Sequence, residues 1–186
     1  MNENKLRSAS PGSRWRYATP AILLHWVLAV LIVTLVTIGW YMLSIEEDPR
    51  SAWYFDKHKS FGMIAFVLVL LRIWWRARHR PAPLPASVPG WQVALAHFTQ
   101  WSLYGCLFLM PVLGFLGASY SEDGVTFFGS HLPAWAVQNH DRSELLFSLH
   151  IGLAWVMVAL IALHVAGALK HLLVDKDGVF QRMWPR

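Results

Sequence analysis

One cysteine, Cys106, stands among 186 residues. That excludes an intramolecular disulfide and any zinc or iron–sulfur centre built from cysteines. Charge is scarce as well: only 15% of residues are Asp, Glu, Lys or Arg, against about 25% in an average soluble protein. With 55% hydrophobic residues, the chain has too much apolar surface to stay disordered. The formal net charge of +5 argues for no nucleic-acid partner, because the basic residues sit at the ends of apolar runs. A glycine-rich phosphate loop, a dinucleotide fingerprint, a long internal repeat and a low-complexity tract are all missing. Tryptophan, by contrast, is abundant at 11 residues, which suits a protein with two membrane–water boundaries to mark.

What is present is a set of charge-free stretches. Tyr17 to Ile45 has no charged residue over 29 positions, Pro81 to Ser121 over 41 and Leu145 to Leu169 over 25. Ser60 to Leu71 is clean, and after Arg72 the apolar run continues through Trp75. A helix needs about 20 apolar residues to cross the roughly 30 Å hydrocarbon layer. The expected fold is therefore an all-α membrane protein, a four-transmembrane-helix bundle with spans about 19–43, 59–76, 92–118 and 145–170. The second span is short and is expected to use Lys59, Arg72 and Arg76 as snorkelling ends. Buried helices of a soluble protein would keep a polar face, whereas Ile22–Met42 and Ile151–Leu169 are apolar nearly all round. The first span is not read as a cleaved signal peptide, since its apolar part is too long and no small-residue cleavage site follows it.

Lys and Arg set the orientation. Twelve lie in the N-terminal segment, the link between spans two and three, and the C-terminal end; four, Arg50, Lys57, Lys59 and Arg142, lie on the other side. Both termini are expected in the cytoplasm. Residues 1–16 read as a mobile cytoplasmic N-terminus, 17–172 as the transmembrane domain and 173–186 as a cytoplasmic tail. The proline-rich segment from Pro81 to Gly90 reads as a stiff connector.

Histidine inside a membrane span is costly and marks function by default. His150 and His164 lie 14 residues apart in span four. At 100° per residue that is about 1400°, some 40° short of four turns, with a rise of about 21 Å. Both side chains thus share a face, one near each surface. His25 sits at the depth of His164, and His58 at the depth of His150. The pattern predicts two bis-histidine pairs, one per leaflet, suited to two haem irons held in a bundle core. The plainer alternative is that each histidine only hydrogen-bonds between helices.

Arg72 follows His58 by 14 residues and is expected at the inner depth, near an inner haem propionate. Gly39 follows His25 by the same interval, where the outer porphyrin would press on span one. His97, opening span three, is a candidate contact for a propionate or a quinone. His79 and His171 read as solvated. His131 and His140 match no strong metal motif.

An ordered set of motifs runs from about Tyr17 to the C-terminus. It comprises Leu24-His25-Trp26, Lys57-His58-Lys59-Ser60-Phe61-Gly62, Leu71-Arg72, Ala94-Leu95-Ala96-His97, Met110-Pro111-Val112-Leu113-Gly114, Phe127-Phe128-Gly129, Leu132-Pro133, Leu149-His150 and Leu163-His164. This set resembles the bacterial cytochrome b561 family of four-helix di-haem inner-membrane proteins. The resemblance implies His25 and His164 as axial ligands of an inner haem b, and His58 and His150 of an outer one. It also implies an electron path between the ubiquinone pool and the periplasmic face, with superoxide as donor in one type and a partner oxidoreductase in another. Superoxide is a small anion, and Lys57, Lys59, Arg50 and Arg142 are candidates to steer it. The readings that follow are a superoxide:ubiquinone oxidoreductase, an electron-relay subunit between quinol and a partner dehydrogenase or reductase, and a membrane anchor without haem.

Overall fold

The computed structural model describes residues 15–185. Most of the expected mobile N-terminus, with Lys5, Arg7 and Arg14, lies outside the described residues, as does Arg186. Four helices carry the fold: α1 (Thr19–Ser44), α2 (Ser51–Arg78), α3 (Gly90–Tyr120) and α4 (His140–Lys170). All four are long and apolar enough to cross a membrane. Large apolar side chains such as Leu23, Val30, Val33, Val67 and Trp101 stand outward, as a lipid-facing surface requires.

Local chemistry sets the helix ends. Pro20 sits in the first turn of α1, where a missing N–H costs nothing. The Asn139 side chain caps α4 by accepting from the Arg142 N–H at 2.9 Å. Inside α3, Pro111 has no N–H to offer the carbonyl one turn back.

The helices run past the apolar runs at the end opposite the termini. α2 begins at Ser51 and α4 at His140, so the link after α1 shrinks to 45–50. Hydropathy registers only the lipid-embedded part of a helix. The added polar turn of α2 is held locally: the Ser51 N–H donates to the Asp48 carbonyl at 2.8 Å and its hydroxyl to the Glu46 carbonyl at 3.1 Å.

The long link from α3 to α4 holds a hairpin of β1 (Thr126–Phe127) and β2 (Ser130–His131) that the hydropathy pattern does not show. Its two-residue turn, Phe128-Gly129, has φ of 48° and 84°, the doubly positive geometry of a tight hairpin. α2 clamps this turn. The Ser60 hydroxyl, wholly buried, accepts from the Phe128 N–H at 2.8 Å, and Asp56 accepts from the Gly129 N–H at 2.9 Å.

Helix packing follows chain order. α1 lies on α2, α2 on α3 and α3 on α4, while the α4 backbone stays away from α1 and α2. α3 and α4 approach closely at Gly117, where a Cβ would fall 2.8 Å from the Phe147 ring. A slot therefore separates α4 from the α1–α2 pair.

At the end bearing both termini, the tail folds back on the bundle. A π-helical turn (His171–Asp175) and a 3-10 turn (Phe180–Arg182) follow α4. The Trp26 indole donates to the Met183 carbonyl at 2.8 Å, and the Tyr17 N–H to the Arg182 carbonyl at 3.2 Å. Arg182 is buried, donates to the carbonyls of Trp15 and Ala82, and lies over the rings of Trp15 and Tyr17.

Candidate functional site

Two histidine pairs bridge the slot. His25 of α1 faces His164 of α4 with ring centres 6.2 Å apart and planes at 71°. His58 of α2 faces His150 of α4 at 6.1 Å and 77°. These are the pairings that the 14-residue spacing predicts. Neither pair is in hydrogen-bonding contact. A metal bound to an imidazole nitrogen at about 2.0 Å, with about 1.1 Å more to each ring centre, places two trans rings about 6.2 Å apart. The pairs therefore leave room for a metal ion between their rings.

The outer pair is seated on glycines. A Cβ at Gly39 of α1 would lie 3.3 Å from His58 Cε1, and one at Gly114 of α3 would lie 3.1 Å from His150 Cε1. Gly39 thus makes room for the His58 ring edge, where the spacing points to contact with a porphyrin. The His150 Nδ1 bonds the Met110 carbonyl at 2.9 Å. A carbonyl only accepts, so Nδ1 carries the proton and Nε2 keeps its lone pair for a metal. His58 is mostly enclosed, and its Nδ1 has no hydrogen-bond partner among the described residues. That nitrogen faces α1 at Gly39 and the Leu35 backbone. Just inward, Trp40 of α1 and Trp155 of α4 meet across the slot with ring centres 5.2 Å apart. Gly62 and Gly167, a turn beyond His58 and His164, have open space where a Cβ would stand.

The inner pair has a cation beside it. Arg72 donates to the Ala21 carbonyl at 3.0 Å, and its Nη2 lies 3.4 Å from His25 Nδ1. It reaches the depth that its spacing implies, and it turns inward where a snorkelling side chain would reach for headgroups. Arg76 likewise contacts Gln100, at 3.3 Å.

Other candidates are spread more widely. His97 is exposed on α3 and is not brought to either pair. His131 is exposed in the α3–α4 link, and His140 is exposed at the start of α4, 3.4 Å from Glu144. His79 stacks on Trp75 at 4.1 Å. His171 is mostly enclosed and bonds Asp177 at 2.7 Å, in contrast to the solvated position its basic surroundings suggest. The four outer cations all have contacts. Arg50 pairs with Asp48 at 2.8 Å and Lys57 with Asp56 at 2.9 Å. Lys59 donates to the Gly124 carbonyl at 2.9 Å, and Arg142 lies 5.5 Å from the centre of the Tyr120 ring.

Four membrane-length helices with imidazoles paired across an internal slot define a multi-pass membrane protein. The profile of the prokaryotic cytochrome b561 family matches residues 16–186, and the chain belongs to that family. It is a multi-pass electron-transfer protein of the bacterial inner membrane, and its family implies haem b. Cytochrome b561 homolog 2 of Escherichia coli (strain K12) is 29% identical over 173 residues, covering 90% of each chain. Probable superoxide oxidase CybB of Yersinia pestis is 29% identical over 174 residues, covering 92% of this chain and 97% of its own. Cytochrome b561 homolog 1 of the same Escherichia coli strain is 26% identical over 178 residues, covering 92% and 98%.

The glycine seats give a first prediction. An alanine methyl at position 114 would press on His150 Cε1 at 3.1 Å and on Nδ1 at 3.2 Å, and the ring must yield by a few tenths of an ångström. Overpacking of this kind costs about 1 kcal/mol. Gly114→Ala is expected to speed haem loss to an excess of apo-globin roughly fivefold. An unchanged rate would mean that His150 does not hold a haem.

Proposed function

We propose that this protein carries two haems b, one between His25 and His164 and one between His58 and His150. It moves electrons between the outer membrane face and the quinone pool. Its most specific reading is oxidation of superoxide to dioxygen with reduction of ubiquinone: two superoxide anions give two dioxygen molecules and two electrons, and one ubiquinone takes those electrons with two protons. The observation that carries this reading is the recurrence of one geometry on α4: two facing imidazole pairs, 6.1 and 6.2 Å apart, at either end of a 14-residue interval. Haem b held at these histidines would supply one-electron redox chemistry.

The chain's own residues do the rest. His25 and His164 would hold one haem, and Arg72, whose Nη2 lies 3.4 Å from His25 Nδ1, would offer a cation to an acidic group of that haem. At the outer end, Arg50 is neutralised. The Arg50 hydrogen bond lowers the Asp48 carboxyl pKa to about 2, and the pair is exposed to solvent. Lys57 is paired with Asp56. Among the described residues, Lys59 and Arg142 have no carboxylate partner. Lys59 adjoins His58 in sequence and bonds a neutral carbonyl, with Asp56 and Asp123 near enough to offset part of its charge. It is the best placed of the four to draw in a small anion. Positive-inside logic supports placing both termini in the cytoplasm, which puts this lysine on the periplasmic side.

The test is the visible spectrum of the purified, air-oxidised protein under a controlled superoxide flux. Reduced-haem bands should grow, superoxide dismutase should abolish them, and added ubiquinone should reverse them. Lys59→Gln is expected to slow the reduction about tenfold at low ionic strength, while Arg50→Gln leaves it unchanged. A haem spectrum that stays oxidised throughout would overturn the superoxide reading in favour of a relay subunit with a partner dehydrogenase or reductase.

A further inference from the structure

At the end bearing both termini, a cavity of about 180 Å³ opens between the start of α1, the end of α2 and the proline-rich connector. Four guanidinium groups line it, those of Arg16, Arg72, Arg76 and Arg80, and no carboxylate does. Among the described residues none of the four forms an ion pair. Their partners are neutral: Arg16 donates to the Trp184 carbonyl, Arg72 to the Ala21 carbonyl and Arg76 to the Gln100 side chain. Four cations converging without an anion repel one another, and a cavity with low-dielectric walls focuses their field. Such a site stabilises itself by taking up an anion.

Depth and lining narrow the choice of anion. Arg72 and Arg76 are one turn apart on one face of α2, and Arg80 follows just past its end. The stripe runs from the inner histidine pair outward to the membrane rim. Arg72 belongs to the histidine end, and Arg16, Arg76 and Arg80 lie toward the surface. Trp75 lines the cavity, and Trp74 beside it is exposed, an aromatic marker of headgroup depth. Tyr17 adds a phenol to the wall. Guanidinium forks match tetrahedral oxyanions in bidentate fashion, and basic pockets between helices at this depth suit acidic headgroups.

We propose that this cavity binds the phosphate of an anionic phospholipid, anchoring one lipid at the junction of α1, α2 and the connector. The test uses the delipidated, haem-loaded protein in neutral detergent, with native mass spectrometry counting bound lipid. Phosphatidylglycerol should be retained as one tight adduct per chain, and phosphatidylethanolamine of the same acyl chains should not. The Arg76→Gln/Arg80→Gln pair should weaken the adduct tenfold or more while the haem spectrum is kept. Arg78→Gln removes a charge from the same helix end outside the cavity, over Trp74, and should leave the adduct intact.

Equal retention of the two lipids would overturn the proposal, and so would an equal loss with Arg78→Gln, the mark of diffuse attraction. Haem propionates that fill the cavity would leave no lipid adduct at all, and that result too would overturn it. Inorganic phosphate is the second arm. Displacement of the lipid by phosphate at equal concentration would reassign the site to a free anion and overturn the lipid source. If the double variant fails to fold, the comparison of the two lipids still decides.

Discussion

Replacing His58 by alanine should halve the haem bound per chain while the bundle stays intact. His58 and His150 form one pair across the slot, and His25 and His164 the other. The interval along α4 puts about 21 Å between them. A defect at one end therefore leaves the other untouched. His58 is seated on Gly39, and its Nδ1 makes no hydrogen bond. Its removal costs the polypeptide only a weak contact with the Leu35 backbone and leaves a small space. If His58 and His150 share a haem as proposed, the loss falls on that group, which His150 alone would hold less tightly. The measurement is haem per polypeptide from the pyridine haemochrome against amino-acid analysis. The expected change is from two to one for His58→Ala and for His164→Ala, and to none for the double variant. A colourless wild-type protein, or identical haem content in all variants, would leave only the anchor reading.

The double histidine site is legible in the sequence because helical periodicity is rigid over long intervals. Fourteen residues bring a side chain back to within about 40°, so His150 and His164 have to share a face. The same arithmetic places Arg72. What escapes it depends on contacts between segments far apart in sequence. Gly39 stands out by its interval from His25, yet it serves His58, because the α1–α2 packing decides what it touches. The hairpin at Phe128-Gly129 needs two positive φ angles, and in the sequence only the glycine of that turn hints at it. His97 opens the third span like a functional residue but faces outward, since α3 turns its other side to α2 and α4. The arginines at the end of α2 are legible as an orientation signal. That they converge with Arg16 on one cavity depends on how the connector folds back. The tail from 173 looks like a polar remainder because a short segment has no periodicity to read, although Arg182 within it is among the most enclosed side chains.

Arg182→Ala should release that tail. The side chain joins three segments: it donates to Trp15 at 3.0 Å in the N-terminal segment and to Ala82 in the connector, while its own carbonyl accepts from Tyr17 at 3.2 Å. Its guanidinium lies 4.4 Å from the Trp15 ring centre and 5.3 Å from that of Tyr17. Burial pulls the guanidinium below its ordinary pKa, yet an arginine stays charged at any physiological pH. Hydrogen bonds to a charged donor contribute about 1.5–3 kcal/mol each. Two of them, with some of that recovered by water reaching the exposed carbonyls, give about 3 kcal/mol for the clasp. Local opening should then rise roughly a hundredfold. Amide exchange at Tyr17 and Met183, both hydrogen-bonded within the clasp, is the readout, and amides at the centre of α4 should not change. Arg182→Lys separates shape from charge. One ammonium cannot reach both carbonyls and cover two rings, so most of the loss should remain. The Trp26 indole holds Met183 while its ring lies 5.5 Å from that of His25. An opened tail should therefore also perturb the inner histidine pair, seen as a shift in the inner haem's absorption with the outer one unchanged. Full protection of Tyr17 in Arg182→Ala would show that the tail is held by Trp26 and Phe180 instead.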